Sequence, residues 1–141
     1  VMDWEPGAHA STFGGNLIAC VAAIEGLKLL RDERLIERAA KLGKAMMKRL
    51  EDLAERSKLI GDVRGKGLLA GIELVKNRRT KERAIKERDA VVRNAMDKGL
   101  LVFRGGKSVI RLAPPLIITR EELELGLDIF EEALLEVERR C

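Results

Sequence analysis

The run His9-Ala10-Ser11-Thr12-Phe13-Gly14-Gly15-Asn16 sets two hydroxyls and two glycines directly ahead of an apolar segment that begins as a helix would. Such a loop suits an anion. Glycine lets backbone N–H groups come close, a helix dipole favours negative charge at its start, and Ser or Thr hydroxyls add hydrogen bonds. Phosphate is the natural ligand, although the same spacing also describes a plain turn and N-cap. A second chemical group is Arg111, inside Val109-Ile110-Arg111-Leu112. On spacing alone it reads as a strand arginine paired with a surface glutamate. Gly65-Lys66-Gly67 lies between strand-like segments and does not lead into a helix, so it reads as a hairpin or bulge and not as a phosphate loop. Glu73 alternates with Ile72 and Leu74 and is expected to face solvent or pair with an arginine of a neighbouring strand.

The elements that must carry these groups are legible in the periodicity. Asn16 is a credible N-cap for a helix to about Leu30, apolar nearly all round in its first half, which implies burial on several sides and exposure in isolation. Asp32 is placed to cap the next helix, where Leu35, Ala39, Leu42, Met46, Leu50 and Leu53 recur in steps of three and four until about Arg56. Strands follow at Ile60 to Arg64 and Leu68 to Val75. A third helix fits Ala84 to Lys98, with Ile85, Val92, Ala95 and Met96 inward and Gly99 as its left-handed stop. Strands at Leu100 to Phe103 and Ser108 to Leu112 end at Pro114-Pro115. Thr119 with Glu122 forms a capping box for a last helix carrying Leu123, Leu127, Phe130, Leu134 and Val137. This mixture predicts an α+β fold, a small antiparallel sheet covered on one face by helices.

Composition narrows the chemistry. With one histidine and two cysteines, Cys20 in an apolar helix and Cys141 at the end, a structural zinc site and a disulfide-rich secreted fold are both unexpected, and no metal is expected. The longest apolar run, Leu17 to Ile24, is too short to cross a bilayer, and no targeting signal is visible, so a cytoplasmic protein without a membrane partner is expected. The net charge of +4 owes much to the stretch from Lys76 to Arg88. That stretch lacks interleaved aromatics, so it is expected to form solvated turns and helix faces and not to bind nucleic acid. Charged residues make up 35% of the chain, glutamine is absent and asparagine scarce, a balance associated with thermophiles.

Three blocks in order complete the picture: the His9 run followed by Leu17-Ile18-Ala19-Cys20 and Ala22-Ala23-Ile24-Glu25; Leu59-Ile60-Gly61-Asp62-Val63-Arg64-Gly65-Lys66-Gly67-Leu68 with Gly71-Ile72-Glu73-Leu74-Val75; and Val109-Ile110-Arg111-Leu112-Ala113-Pro114-Pro115-Leu116 with Thr119. Together they resemble the class III aminotransferases, pyridoxal-phosphate enzymes acting on ornithine, acetylornithine or 4-aminobutyrate. The resemblance covers nearly the whole chain but only the C-terminal third of such enzymes, and Val1-Met2-Asp3-Trp4 reads like an interior stretch. One departure is Leu17, where the family usually has proline in the first helical turn; the change loosens helix entry without removing phosphate donors.

The resemblance implies a homodimer or higher homo-oligomer of fold type I. Residues 1–31 would be the end of the large cofactor-binding domain, and 32–141 the small C-terminal α+β domain. It implies that Ser11 and above all Thr12 hold the phosphate of pyridoxal phosphate in the neighbouring subunit, with His9 positional in the same loop. It also implies that Arg111 grips the α-carboxylate of an amino acid substrate, where a planar guanidinium donates two parallel hydrogen bonds that lysine cannot reproduce. The lysine that bonds covalently to the cofactor and the acid that partners its ring nitrogen have no counterpart here. The chain therefore holds no catalytic residue and is expected to be inactive alone in transferring an amino group from an amino acid to a 2-oxo acid. The alternatives are a noncatalytic module that associates through the apolar helix from Leu17 to Leu30, and part of an amino-acid racemase on the same scaffold.

Overall fold

The computed structural model describes Asp3, Gly7, Ala8 and residues 10–140; His9 and Cys141 lie outside the described residues. The chain divides into two compact units, residues 1–35 and 36–141.

In the first unit, α1 (Leu17–Asp32) starts at Asn16, whose side-chain oxygen accepts from the backbone N–H groups of Ile18 and Ala19 at 3.0 and 3.2 Å. The expected N-cap is thus present. None of the residues of α1 is buried, and Leu17, Ile18, Val21 and Leu27 are all more than half exposed.

α2 (Leu35–Arg56) runs from the boundary into the second unit. Asp32 does not cap it as expected: it is the last residue of α1 and its carboxylate accepts from Arg31 Nε at 2.9 Å. Arg34, between the end of α1 and the start of α2, has a φ of 53°. Beyond α2 come β1 (Ile60–Lys66) and β2 (Leu69–Asn77), an antiparallel hairpin. Gly67 turns it with a φ of 58°, as glycine permits. A short β3 (Glu82–Arg83) pairs with the end of β2.

α3 (Ile85–Asp97) ends at Gly99 (φ 91°), with Leu100 N–H donating back to Ala95 C=O at 2.8 Å, which satisfies carbonyls the helix end would leave free. Its inner face differs from the expected one. Arg88, Val91 and Ala95 are buried, whereas Ile85 and Met96 are exposed. The apolar pattern admitted more than one phase because Arg88 falls on the core stripe, where a charged residue hides the periodicity. Likewise Leu100 to Val102 is not strand: the next strand, β4, is Phe103–Gly105, and β5 is Val109–Leu112. The last helix, α4 (Arg120–Glu138), opens with the full capping box between Thr119 and Glu122.

The sheet runs in the order β1-β2-β5-β4, every pair antiparallel. Because side chains alternate across a strand, Ala70, Ile72 and Leu74 of β2 and Ile110 and Leu112 of β5 all enter one core with Met46, Leu50, Leu53, Val91, Phe130 and Leu134 from the helices. The fold is α+β, with helices on one face of a small antiparallel sheet. α2 is held to α4 by Arg49, which lies 3.0 Å from Glu124 and 3.3 Å from Glu131 and also pairs with Asp128. The hydrogen bond that Arg49 donates to Asp128, with those it donates to Glu124 and Glu131, raises its pKa above the ordinary value. The opposite face of the sheet is left open, and Arg111 lies on it.

Candidate functional site

Alternation places Arg111 outward between buried Ile110 and Leu112. Register then decides its neighbours: Arg111 pairs with Gly71 of β2 on one side and Phe103 of β4 on the other, and Gly71 pairs in turn with Arg64 of β1. The row across the open face is Arg64, Gly71, Arg111, Phe103. The next row brings Asp62, Glu73, Val109 and Gly105 together. A shallow cleft forms there, lined by Arg64, Lys66, Leu69, Gly71, Gly105 and Arg111.

The two arginines of the row are in opposite states. Arg64 donates to Asp62 at 2.6 Å and to Glu73 at 3.1 Å, which raises its pKa and cancels its charge locally. Glu73 thus takes the arginine partner expected of it. Arg111 meets no carboxylate among the described residues. Its guanidinium carbon lies 5.3 Å from the centroid of the Phe103 ring, within cation–π range, and the residue is exposed. The surface glutamate expected from spacing alone is therefore not its partner. An exposed guanidinium left unpaired over a floor made by a glycine is suited to a planar anion such as a carboxylate.

The loop after β5 fixes the end of that strand. Pro114-Pro115 cannot continue the ladder, and Arg38 of α2 donates to the carbonyls of Ile117 at 3.4 Å and Ile118 at 2.6 Å. A second, apolar groove lies between the Leu100–Phe103 stretch, Pro115, Ile118 and the start of α4. Its one charged lining residue, Glu122, is taken by Thr119, and hydrogen bonds from the Thr119 backbone and hydroxyl hold its pKa below the ordinary value.

In the first unit Ser11 and Thr12 are exposed, and among the described residues their hydroxyls have no hydrogen-bond partner. The loop closes tightly: Gly14 N–H donates to Ser11 C=O at 3.2 Å, and a Cβ on Gly14 would come within 3.3 Å of Ser11 Cβ. Gly15 has a φ of 76°. Two free hydroxyls on a glycine-closed turn fit a phosphate. The helix N-terminus itself contributes less than the sequence suggested, because Asn16 already occupies the N–H groups of Ile18 and Ala19. Ser11 and Thr12 belong to one unit and Arg111 to the other.

The basic stretch is largely used up locally. Lys76 pairs with Glu82 at 2.9 Å, Arg78 donates to the carbonyls of Ile60, Ser57 and Ala54, Lys81 to that of Gly61, and Arg88 is buried beside Asp89 at 2.8 Å. Among the described residues no group of His, Cys, Asp and Glu side chains is placed to hold a metal, and no helix is long and apolar enough to cross a membrane.

Sequence reasoning missed Arg64, Gly71 and Phe103 as neighbours of Arg111. Their alternation could have put each on the outer face of its strand, but strand order and register, which bring them into one row, are set by pairing between segments up to about forty positions apart.

The second unit thus carries an exposed guanidinium in a shallow cleft on its sheet, and the first a pair of hydroxyls on a glycine-closed turn. Aminotransferase class-III is the family whose sequence profile matches, over residues 1–134, and the chain belongs to it. It is 47% identical over 133 residues to the leucine/methionine racemase of Thermococcus litoralis, covering 94% of this chain and 30% of that protein. Against the ornithine aminotransferase of an Exiguobacterium species it is 42% identical over 131 residues, 93% of this chain and 30% of that one. The acetylornithine aminotransferase of Elizabethkingia anophelis has a solved structure that matches with a TM-score of 0.77 and 40% identity, over 94% of this chain and 32% of that one. The chain thus spans about a third of the length of the relatives it matches.

Proposed function

We propose that this chain is the C-terminal portion of a pyridoxal-phosphate-dependent enzyme that moves the amino group of an amino acid of the ornithine, acetylornithine or 4-aminobutyrate class to a 2-oxo acid. Residues 1–31 would close the cofactor-binding domain and 32–141 form the small domain, in a cytoplasmic homodimer or higher homo-oligomer. The observation that carries the reading is Arg111: a guanidinium with no carboxylate partner among the described residues, set on the open face of the sheet in a chain of this family. When bound, pyridoxal phosphate supplies the electron sink that lets bonds at the amino acid Cα break. Thr12, with Ser11 beside it, would donate its hydroxyl proton to a phosphate oxygen, across the subunit interface. Arg111 would hold the α-carboxylate through two parallel hydrogen bonds and so fix which bond at Cα faces the reacting group. The covalent lysine would come from the upstream two thirds that the relatives possess.

A racemase is the second reading, favoured by the 47% identity to the leucine/methionine racemase. It uses the same grips, since returning a proton to Cα needs the same oriented carboxylate. Incubating the full-length enzyme with a single L-amino acid, with and without a 2-oxo acid, separates the two. Appearance of the D-isomer without acceptor establishes racemisation; consumption that requires the acceptor and yields a new amino acid establishes transfer.

A further inference from the structure

Resting on the reading of Arg111 as the carboxylate grip, we propose that Phe103 is the positioning residue of that grip and that Gly71 is the opening through which the carboxylate reaches it. An arginine side chain on an open sheet face has several rotatable bonds, and fixing them on binding costs entropy. Phe103 limits that freedom in advance. It is the cross-strand partner of Arg111 on β4, and its ring lies 5.3 Å from the guanidinium carbon. On the other flank the cross-strand partner is Gly71, which brings no side chain of its own to the guanidinium, and Val109 Cγ1 borders the space above it. Beyond Gly71 stands Arg64, which Asp62 and Glu73 have already claimed at 2.6 and 3.1 Å. The row is therefore asymmetric: an aromatic wall, a free cation, a gap, and a neutralised cation. An incoming carboxylate meets one vacant guanidinium in this row, on the flank that Phe103 does not wall.

The geometry also supplies clean probes. Phe103 is 54% exposed, so its replacement removes little core. A Cβ on Gly71 would touch Val109 Cγ1 at 3.4 Å, an ordinary contact, so alanine fits the backbone while filling the gap. The variants Phe103→Leu, Phe103→Tyr, Gly71→Ala and Arg111→Ala are compared in the full-length enzyme. The readouts are KM and kcat for the amino acid substrate, the inhibition constant of propionate as a plain carboxylate, and the melting temperature. Phe103→Leu keeps apolar bulk but loses the ring face; it is expected to raise KM and the propionate constant about two- to fivefold, with kcat and melting temperature unchanged. Phe103→Tyr keeps the ring and should match the parent. Gly71→Ala should weaken propionate binding without lowering the melting temperature. If Phe103→Leu or Gly71→Ala binds propionate as the parent does while Arg111→Ala does not, the positioning proposal is overturned and the grip stands. If Arg111→Ala itself leaves KM and propionate binding unchanged, the grip fails, and the proposal with it.

Discussion

At the scale of single residues, two side chains carry the functional reading, and each fails in its own way when altered. Replacing Arg111 with Lys keeps the charge but loses the planar fork. In the full-length enzyme it should weaken capture of α-carboxylates by about 1.5–3 kcal/mol, read as a rise of one to two decades in KM. Replacing Thr12 with Val keeps the shape but removes a donor whose hydroxyl makes no other hydrogen bond among the described residues. Equilibrium titration with pyridoxal phosphate should show weaker binding, and an unchanged affinity would remove Thr12 from the site. These residues stood out in the sequence as types: hydroxyls beside glycines, and an arginine between apolar neighbours. The open state of Arg111 did not stand out, because it depends on Glu73 being drawn to Arg64 instead.

Among the elements, the helix ends were the most legible part, since caps are local. Thr119 and Glu122 lie three positions apart and satisfy each other's backbone groups whatever else the chain does. Their pairing has a pH signature. The folded state holds the Glu122 carboxyl below its ordinary value, so it contributes stability that is present above the unfolded pKa and lost as pH falls through the lower folded value. Melting temperatures measured from pH 6 down to pH 3 should therefore fall less steeply in Glu122→Gln than in the parent. The bond between α2 and α4 was not legible, because Arg49 and its three carboxylate partners are separated by 75 to 82 positions. Arg49→Ala should destabilise the fold by about 1 kcal/mol at low salt, with a smaller loss in 1 M salt. α3 marks the limit of periodicity: Arg88 occupies a core position, and packing decided a phase that the apolar residues left open.

For the molecule as a whole, the two units differ in how far they satisfy themselves. The second has a shared core of sheet and helices around Phe130, Ile72 and Ile110, whereas α1 in the first buries none of its residues. With none of its residues buried, α1 in this chain alone should exchange its amides with solvent far faster than β2 and α4, measurable by hydrogen exchange and mass spectrometry. The chain by itself determined most of its element types, the caps at Asn16 and Thr119 and its family membership, and it offered Ser11, Thr12 and Arg111 as candidates, because these follow from neighbours along the sequence. Only the tertiary structure decided that Arg111 has Phe103 on one flank and Gly71 on the other, and that Arg64 is already neutralised. The reason is physical: a strand's periodicity says which face a side chain takes, but strand order and register, fixed by long-range pairing over a common core, say whom it meets there.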